Sequence, residues 1–214
     1  MKKKKRRLNI KRIVVVIFLI IIIVLGGLYL FNKKAKTKAT EIKAVSTIKA
    51  YGYTLNDNAT AYYKDLFKQL DQALNAKKVN DQKYAQLVSQ MFVADFFNLD
   101  NKTSKNDVGG KQFVYTPYQS DFEKYAMNSI YKTVQNNIYG NRQQTLPIVT
   151  KVTVKKIKTE AFKYSAGTDT NAYVYNFKIE YKKDLGYQTK GSLVLIHNDK
   201  KIEVASMSEK SSTE

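Results

Sequence analysis

The chain has 214 residues, with 37 Lys and Arg against 18 Asp and Glu, for a formal net charge of +19. It contains no cysteine, which excludes disulfides, thiolate metal sites, thiol nucleophiles and cysteine-borne lipids. The basic excess is concentrated near the amino terminus: residues 44–214 hold 24 basic and 17 acidic groups, so 24 − 17 = +7.

Ile13 to Phe31, IVVVIFLIIIIVLGGLYLF, carries no charge over 19 residues. As a helix it would span roughly 28 Å, about the thickness of a bilayer's hydrocarbon core. Lipid offers the backbone no hydrogen-bond partner, so a helix is the expected form. Lys2, Lys3, Lys4, Lys5, Arg6, Arg7, Lys11 and Arg12 precede it, and Lys33, Lys34, Lys36 and Lys38 follow. That imbalance predicts a cytoplasmic amino terminus and an extracellular carboxy-terminal domain, in a single-pass protein of the cell membrane. The run is long for a signal-peptide core and no small-x-small site follows it, so the expectation is an uncleaved signal anchor. Lys4, Lys5, Arg6, Arg7, Lys11 and Arg12 are expected at anionic lipid head groups. No aromatic residue interleaves them, and nucleic acid is not an expected partner. The predicted layout is a basic cytoplasmic tail at 1–12, a transmembrane helix at 13–31, a linker at 32–50, an extracytoplasmic α+β domain at 51–207 and a disordered tail at 208–214.

Within the domain, Asp57 and Asn58 are candidate caps for a first helix. Ala59, Tyr62, Tyr63, Leu66, Phe67, Leu70, Ala73 and Leu74 recur at its three- and four-residue spacing. Asn80 or Asp81 caps a second, whose apolar face is Tyr84, Leu87, Val88, Met91, Phe92, Phe96 and Leu99. Phe113 and Tyr115 alternate with their neighbours before Pro117 and predict a short strand. Ser120 and Glu123 have the spacing of a capping box for a third helix. Its predicted buried face is Phe122, Ala126, Ile130, Val134 and Ile138, with Gly140 as the stop. After Pro147 the period changes to two. Strands are predicted from Ile148 to Lys155, at Phe162 and Tyr164, from Tyr173 to Lys182, from Tyr187 to His197, and from Lys201 to Met207. Asn198-Asp199 forms a hairpin turn between the last two. Short connections imply an antiparallel sheet, and the three helices must cover one of its faces.

This order resembles the nuclear-transport-factor-2-like fold, in which three helices lie on a strongly curved antiparallel sheet, and the resemblance covers roughly 51–207. The fold class it implies is α+β, with a transmembrane helix followed by three helices on four to five strands. A membrane helix followed by such a domain is similar to the inner-membrane scaffold subunits of type IV secretion and Gram-positive conjugation machines. The phrases YGYTLNDNATAYYKDLFKQL and LDNKTSKNDVGGKQFV are also similar to single-pass envelope proteins of AT-rich Gram-positive bacteria that carry no assigned function. The resemblance implies a membrane-anchored scaffold or protein-interaction domain in secretion, conjugation or wall assembly. Its partners would be the membrane, other envelope proteins and, as an alternative, a second copy of the chain. The fold hosts enzymes and binders alike, so a ligand-binding or enzymatic cone pocket stays open.

Asp95 is the weak catalytic candidate. It sits within the apolar stripe of the second helix, where a carboxylate needs partners or stays protonated. The competing reading is a carboxylate that hydrogen-bonds a tyrosine or the following loop near a helix end. That loop carries Asp100, Asn101, Lys102, Asn106, Asp107, Gly109 and Gly110, read first as a corner and second as a partner-binding rim. Lys102 and Lys105 intrude on its oxygens and the spacing of a calcium loop is absent, so no metal is expected. His197 is the only histidine and is read as structural. The lysines of the sheet's outer face are read as solvated, with an anionic polymer as the alternative. No cofactor motif is present.

Overall fold

The computed structural model describes residue 39 and residues 41–210. The expectations for the basic tail and the membrane helix lie outside them. Among the described residues no helix is long and apolar enough to cross a membrane. The described body is α+β: a two-stranded hairpin, three helices and a four-stranded antiparallel sheet.

The hairpin pairs β1 (Ala44–Ile48) with β2 (Tyr53–Asn56). Residues from Ala44 onward were expected in a linker. Their apolar alternation is hidden because four of the five β1 residues are exposed and only Ile48 enters the core. Gly52, at φ +71°, makes the turn.

Helix α1 (Ala61–Leu74) is capped by neither expected residue: the Thr60 hydroxyl accepts the Tyr63 amide. Asp57 instead accepts the Lys43 amide on the hairpin, and Asn58 bonds the Asn101 carbonyl. Helix α2 (Asp81–Phe96) is capped by Asn80, as predicted, through the Lys83 amide at 2.9 Å. It lies between α1 and the sheet and is buried on more than one face. Phe96 and Phe97, at its end, pack on Tyr131 and Phe177 at ring separations of 5.6 and 5.9 Å.

Three sequence expectations are corrected in the next segment. Phe113 and Tyr115 do not form a strand, because Lys111–Phe113 and Thr116–Tyr118 are single 3-10 turns. Only one bridge survives, parallel from Val114 to Val204, where the Tyr115 amide bonds the Val204 carbonyl. The Ser120–Glu123 capping box does not form: α3 (Gln119–Asn128) has no side-chain cap, and Glu123 pairs with Lys111 at 2.8 Å. Finally, α3 stops at Asn128 rather than at Gly140. The buried Tyr131 hydroxyl is drawn back to the end of α2, and the Asn137 amide to the Thr103 carbonyl. A continuing helix would turn the Asn137 amide to its own i−4 carbonyl instead.

The sheet runs in the order β3 (Val149–Tyr164), β4 (Gly167–Tyr181), β5 (Lys190–Asn198), β6 (Lys201–Ser208). The two strands expected at 148–155 and 162–164 are one 16-residue strand. Register shifts at Val149/Lys151, Lys156/Lys158 and Glu160/Phe162 break its period and curve it. Tyr175, Phe177 and Ile179 face the helices in the main core, as their alternation predicts. A smaller core around Tyr115, Ala172 and Ile196 gathers Tyr118, Phe162 and Tyr164.

Candidate functional site

The site is built where α2 ends. A carboxylate in a helix's last turn meets the negative end of the backbone dipole, so Asp95 needs compensation. Lys102 supplies it, its ammonium 2.5 Å from Asp95 Oδ1 and only 5 % exposed. The Gly110 amide donates to Oδ2 at 2.7 Å. Both carboxylate oxygens are therefore engaged by the loop that follows, seven and fifteen residues on.

The geometry dictates the glycines. A Cβ on Gly109 would lie 2.2 Å from the Asp95 carbonyl oxygen and 2.7 Å from the Lys102 ammonium. Gly110 has φ +79°, which L side chains rarely adopt. The Tyr131 hydroxyl accepts from the Gly109 amide at 3.0 Å and donates to the Phe96 carbonyl at 2.7 Å, satisfying a helix-end acceptor. Arg142 donates to the carbonyls of Asp100, Lys102 and Gln135. Asn98 receives the Val149 amide and donates to Asn101 Oδ1. The loop is a welded corner.

Beside this corner opens a cleft of about 430 Å³, between β2, the start of α1 and the Asp95–Gln112 segment. Thr54, Asn56, Asn58 and Thr60 line one wall, and Asn98, Asn101, Asp107 and Gln119 are among the residues opposite. Gln112 bridges the two sides, accepting the Thr54 amide and donating to the Thr54 carbonyl and the Tyr63 hydroxyl. Burial, then the nearby Asp95 charge, pushes the Tyr63 phenol well above its ordinary pKa, and the Gln112 bond opposes this only in part. The same two causes act on Tyr131, so both phenols remain protonated hydrogen-bonding groups. Most of the polar side chains on the lining are neutral amides and hydroxyls, suited to hydrogen bonding a polar surface, beside the charged Asp95, Lys102, Asp107 and Lys111.

Of the predicted rim, Asp100 and Asn106 are exposed, Asn101 and Asp107 are half-buried, and Lys102, Gly109 and Gly110 are buried. Asp95, Lys102 and Gly110 meet in one hydrogen-bonded unit. Asp107 turns inward to the Thr103 amide and hydroxyl. Sequence reasoning passed over Tyr131, Arg142, Asn98 and Gln112. Arg142 did carry a signal: it is the single arginine beyond position 12 in a chain of 33 lysines. Its forked guanidinium bonds three carbonyls, a task an ammonium performs poorly.

His197 lies away from the cleft lining, on β5. Its backbone amide and ring Nδ1 both meet Asp169 Oδ2, at 2.7 and 2.9 Å, and its ring packs edge-on to Tyr173. Among the described residues, no group of three or more His, Asp or Glu side chains could hold a metal ion. No protein-family model, curated protein or solved structure matches the chain.

Proposed function

We propose that this chain is a membrane-anchored extracytoplasmic scaffold of the bacterial cell envelope, working through protein contacts in a secretion, conjugation or wall-assembly complex. The charge-free run at 13–31, flanked by eight basic residues before and four after, supports the anchor and its orientation. Three helices on a bulged antiparallel sheet support a nuclear-transport-factor-2-like reading of the body. One observation carries the interaction reading. The acid best placed for chemistry, Asp95, has both oxygens bound, and it borders a cleft whose polar side chains are mostly neutral amides and hydroxyls. Such a wall suits the backbone of a partner segment, whose amides need donors and acceptors but no charge.

The test is photo-crosslinking in intact cells, with the full chain carrying a crosslinker at Asn56 or, as a control, at Lys77. Adducts with other envelope proteins from position 56 but not 77 are expected. A chain recovered only as a free monomer from both positions would remove the support for this reading. Protease added to intact cells should digest the body, and digestion only by a cytosolic protease would reverse the orientation.

A second reading follows from the cleft's size, which falls in the range of small-ligand sites, and from Asp95 lying on its lining. It requires Asp95 to leave Lys102 when ligand enters. A small molecule that protects the full chain against thermal unfolding, and loses that effect in Asp95→Asn, would favour it.

A further inference from the structure

The outer face of the sheet does not balance its charges. Register places side chains in rows on that face: Lys151 beside Glu180, then Thr153, Lys178 and Lys190, then Lys155, Asn176 and Ser192. Lys151 is neutralised by Glu180 at 3.4 Å, and further along β3 Lys158 is neutralised by Glu160 at 2.7 Å. The middle row contains no acid. Lys178 and Lys190 are direct cross-strand partners, both exposed, and neither ammonium has a carboxylate partner among the described residues. Like charges directly opposite on neighbouring strands are destabilising. Lys182 and Lys183, just beyond the end of β4, add two more exposed cations nearby in sequence.

Between these rows lies a shallow depression of about 200 Å³, lined by Thr153, Lys155, Asn176, Phe177, Lys178 and Lys190. It offers the Lys178 and Lys190 ammoniums for negative charge and the Thr153 hydroxyl for oxygen acceptors. The large hydrophobic side chains that the described body exposes are Val45, Tyr125 and Tyr139, and none lies on this face. There is thus nothing there to insert into a bilayer or to stack on a base. These rows carry no arginine to fork onto a single phosphate.

We propose that this row is a docking surface for a linear, phosphate-rich polymer, held by Lys178 and Lys190 on successive phosphates, with Thr153 bonding their oxygens. A phosphate at each ammonium turns a repulsion into two attractions. Point charges without forks or stacking groups predict binding that follows charge density and weakens steeply with salt. This inference needs neither the cleft nor the partner proteins proposed above.

The experiment is lysine footprinting of the full chain in detergent micelles by acetylation and mass spectrometry, with inorganic polyphosphate as the probe. Each lysine is read separately, so the basic residues at 2–12 do not mask the result. At low salt, polyphosphate is expected to slow acetylation of Lys178 and Lys190 about tenfold, and at about 0.5 M salt the protection should vanish. Lys77 and Lys78, exposed between α1 and α2, should change little. In Lys178→Gln, protection of Lys190 should fall. A Lys178 and Lys190 protected no more than Lys77 and Lys78 would overturn the proposal. So would protection by phosphatidylglycerol vesicles but not by polyphosphate, which would make the surface a lipid contact.

Discussion

Lys102 and Lys178 carry the same charge in opposite settings. Lys102 is 5 % exposed, bonded to Asp95, and beside Gly109, whose missing Cβ leaves room for it. Lys178 stands in solvent, opposite another lysine. A buried ion pair must recover the large cost of taking two charges out of water. It persists because the Gly110 amide adds a hydrogen bond to the same carboxylate. An exposed like-charge pair costs little and can persist with no partner inside the molecule. The first kind of charge holds the fold, and the second is left available to something outside it.

The comparison can be broken most sharply at Gly109. Its alanine variant puts a methyl into the Asp95 carbonyl, which cannot rotate away, and a loss of about 3 kcal/mol is expected in urea unfolding. Lys102→Ala leaves Asp95 charged at a helix end with one bond lost. Removing one partner of a fully buried pair costs about 3–5 kcal/mol, and the 24 % exposure of Asp95 lowers the expectation here to about 2–3 kcal/mol.

The sequence made the frame of this site readable but not its closure. Asp95 stands out because it interrupts the stripe of Val88, Met91, Phe92, Phe96 and Leu99, all of which are buried. Its partner did not stand out. Lys102 lies among Asp, Asn and Ser residues that read as solvated, and only the return of the chain through Tyr131 and Arg142 covers it. The main strands were legible wherever one face is buried, as at Tyr175, Phe177 and Ile179. They were illegible where a bulge resets the alternation, as between Glu160 and Phe162, or where a strand is almost wholly exposed, as at Ala44–Ile48. The third helix reads too long because Ile130 and Val134 keep helical spacing, although tertiary bonds have already ended it.

A third carboxylate contact, Asp169 with His197, sharpens the comparison by titration. Burial tends to raise the Asp169 pKa, but hydrogen bonds from the His197 and Asn171 amides and the His197 ring outweigh it and bring it below the ordinary carboxylate value. A depressed acid contributes stability that is fully present above its unfolded pKa of about 3.9 and is lost as pH falls through the folded value. The stability difference between the native chain and Asp169→Asn should therefore shrink as pH falls below about 4. Urea midpoints across pH 2–5 check this, and a difference that grows as pH falls below about 4 would contradict it.

The smallest expected effect lies on the outer face. Lys190→Glu replaces a like-charge pair with an opposite-charge one across from Lys178, and should raise stability by about 0.5 kcal/mol at low salt. High salt should erase the gain.

The measurement that bears most directly on the account is a double-mutant cycle on Asp95→Asn and Lys102→Met, read by urea unfolding of the full chain. If the carboxylate is committed to the corner, the double variant should be less destabilised than the sum of the singles by about 2 kcal/mol or more. Additive losses would mean that the two side chains do not hold each other in solution, and that Asp95 is free for the chemistry denied to it here.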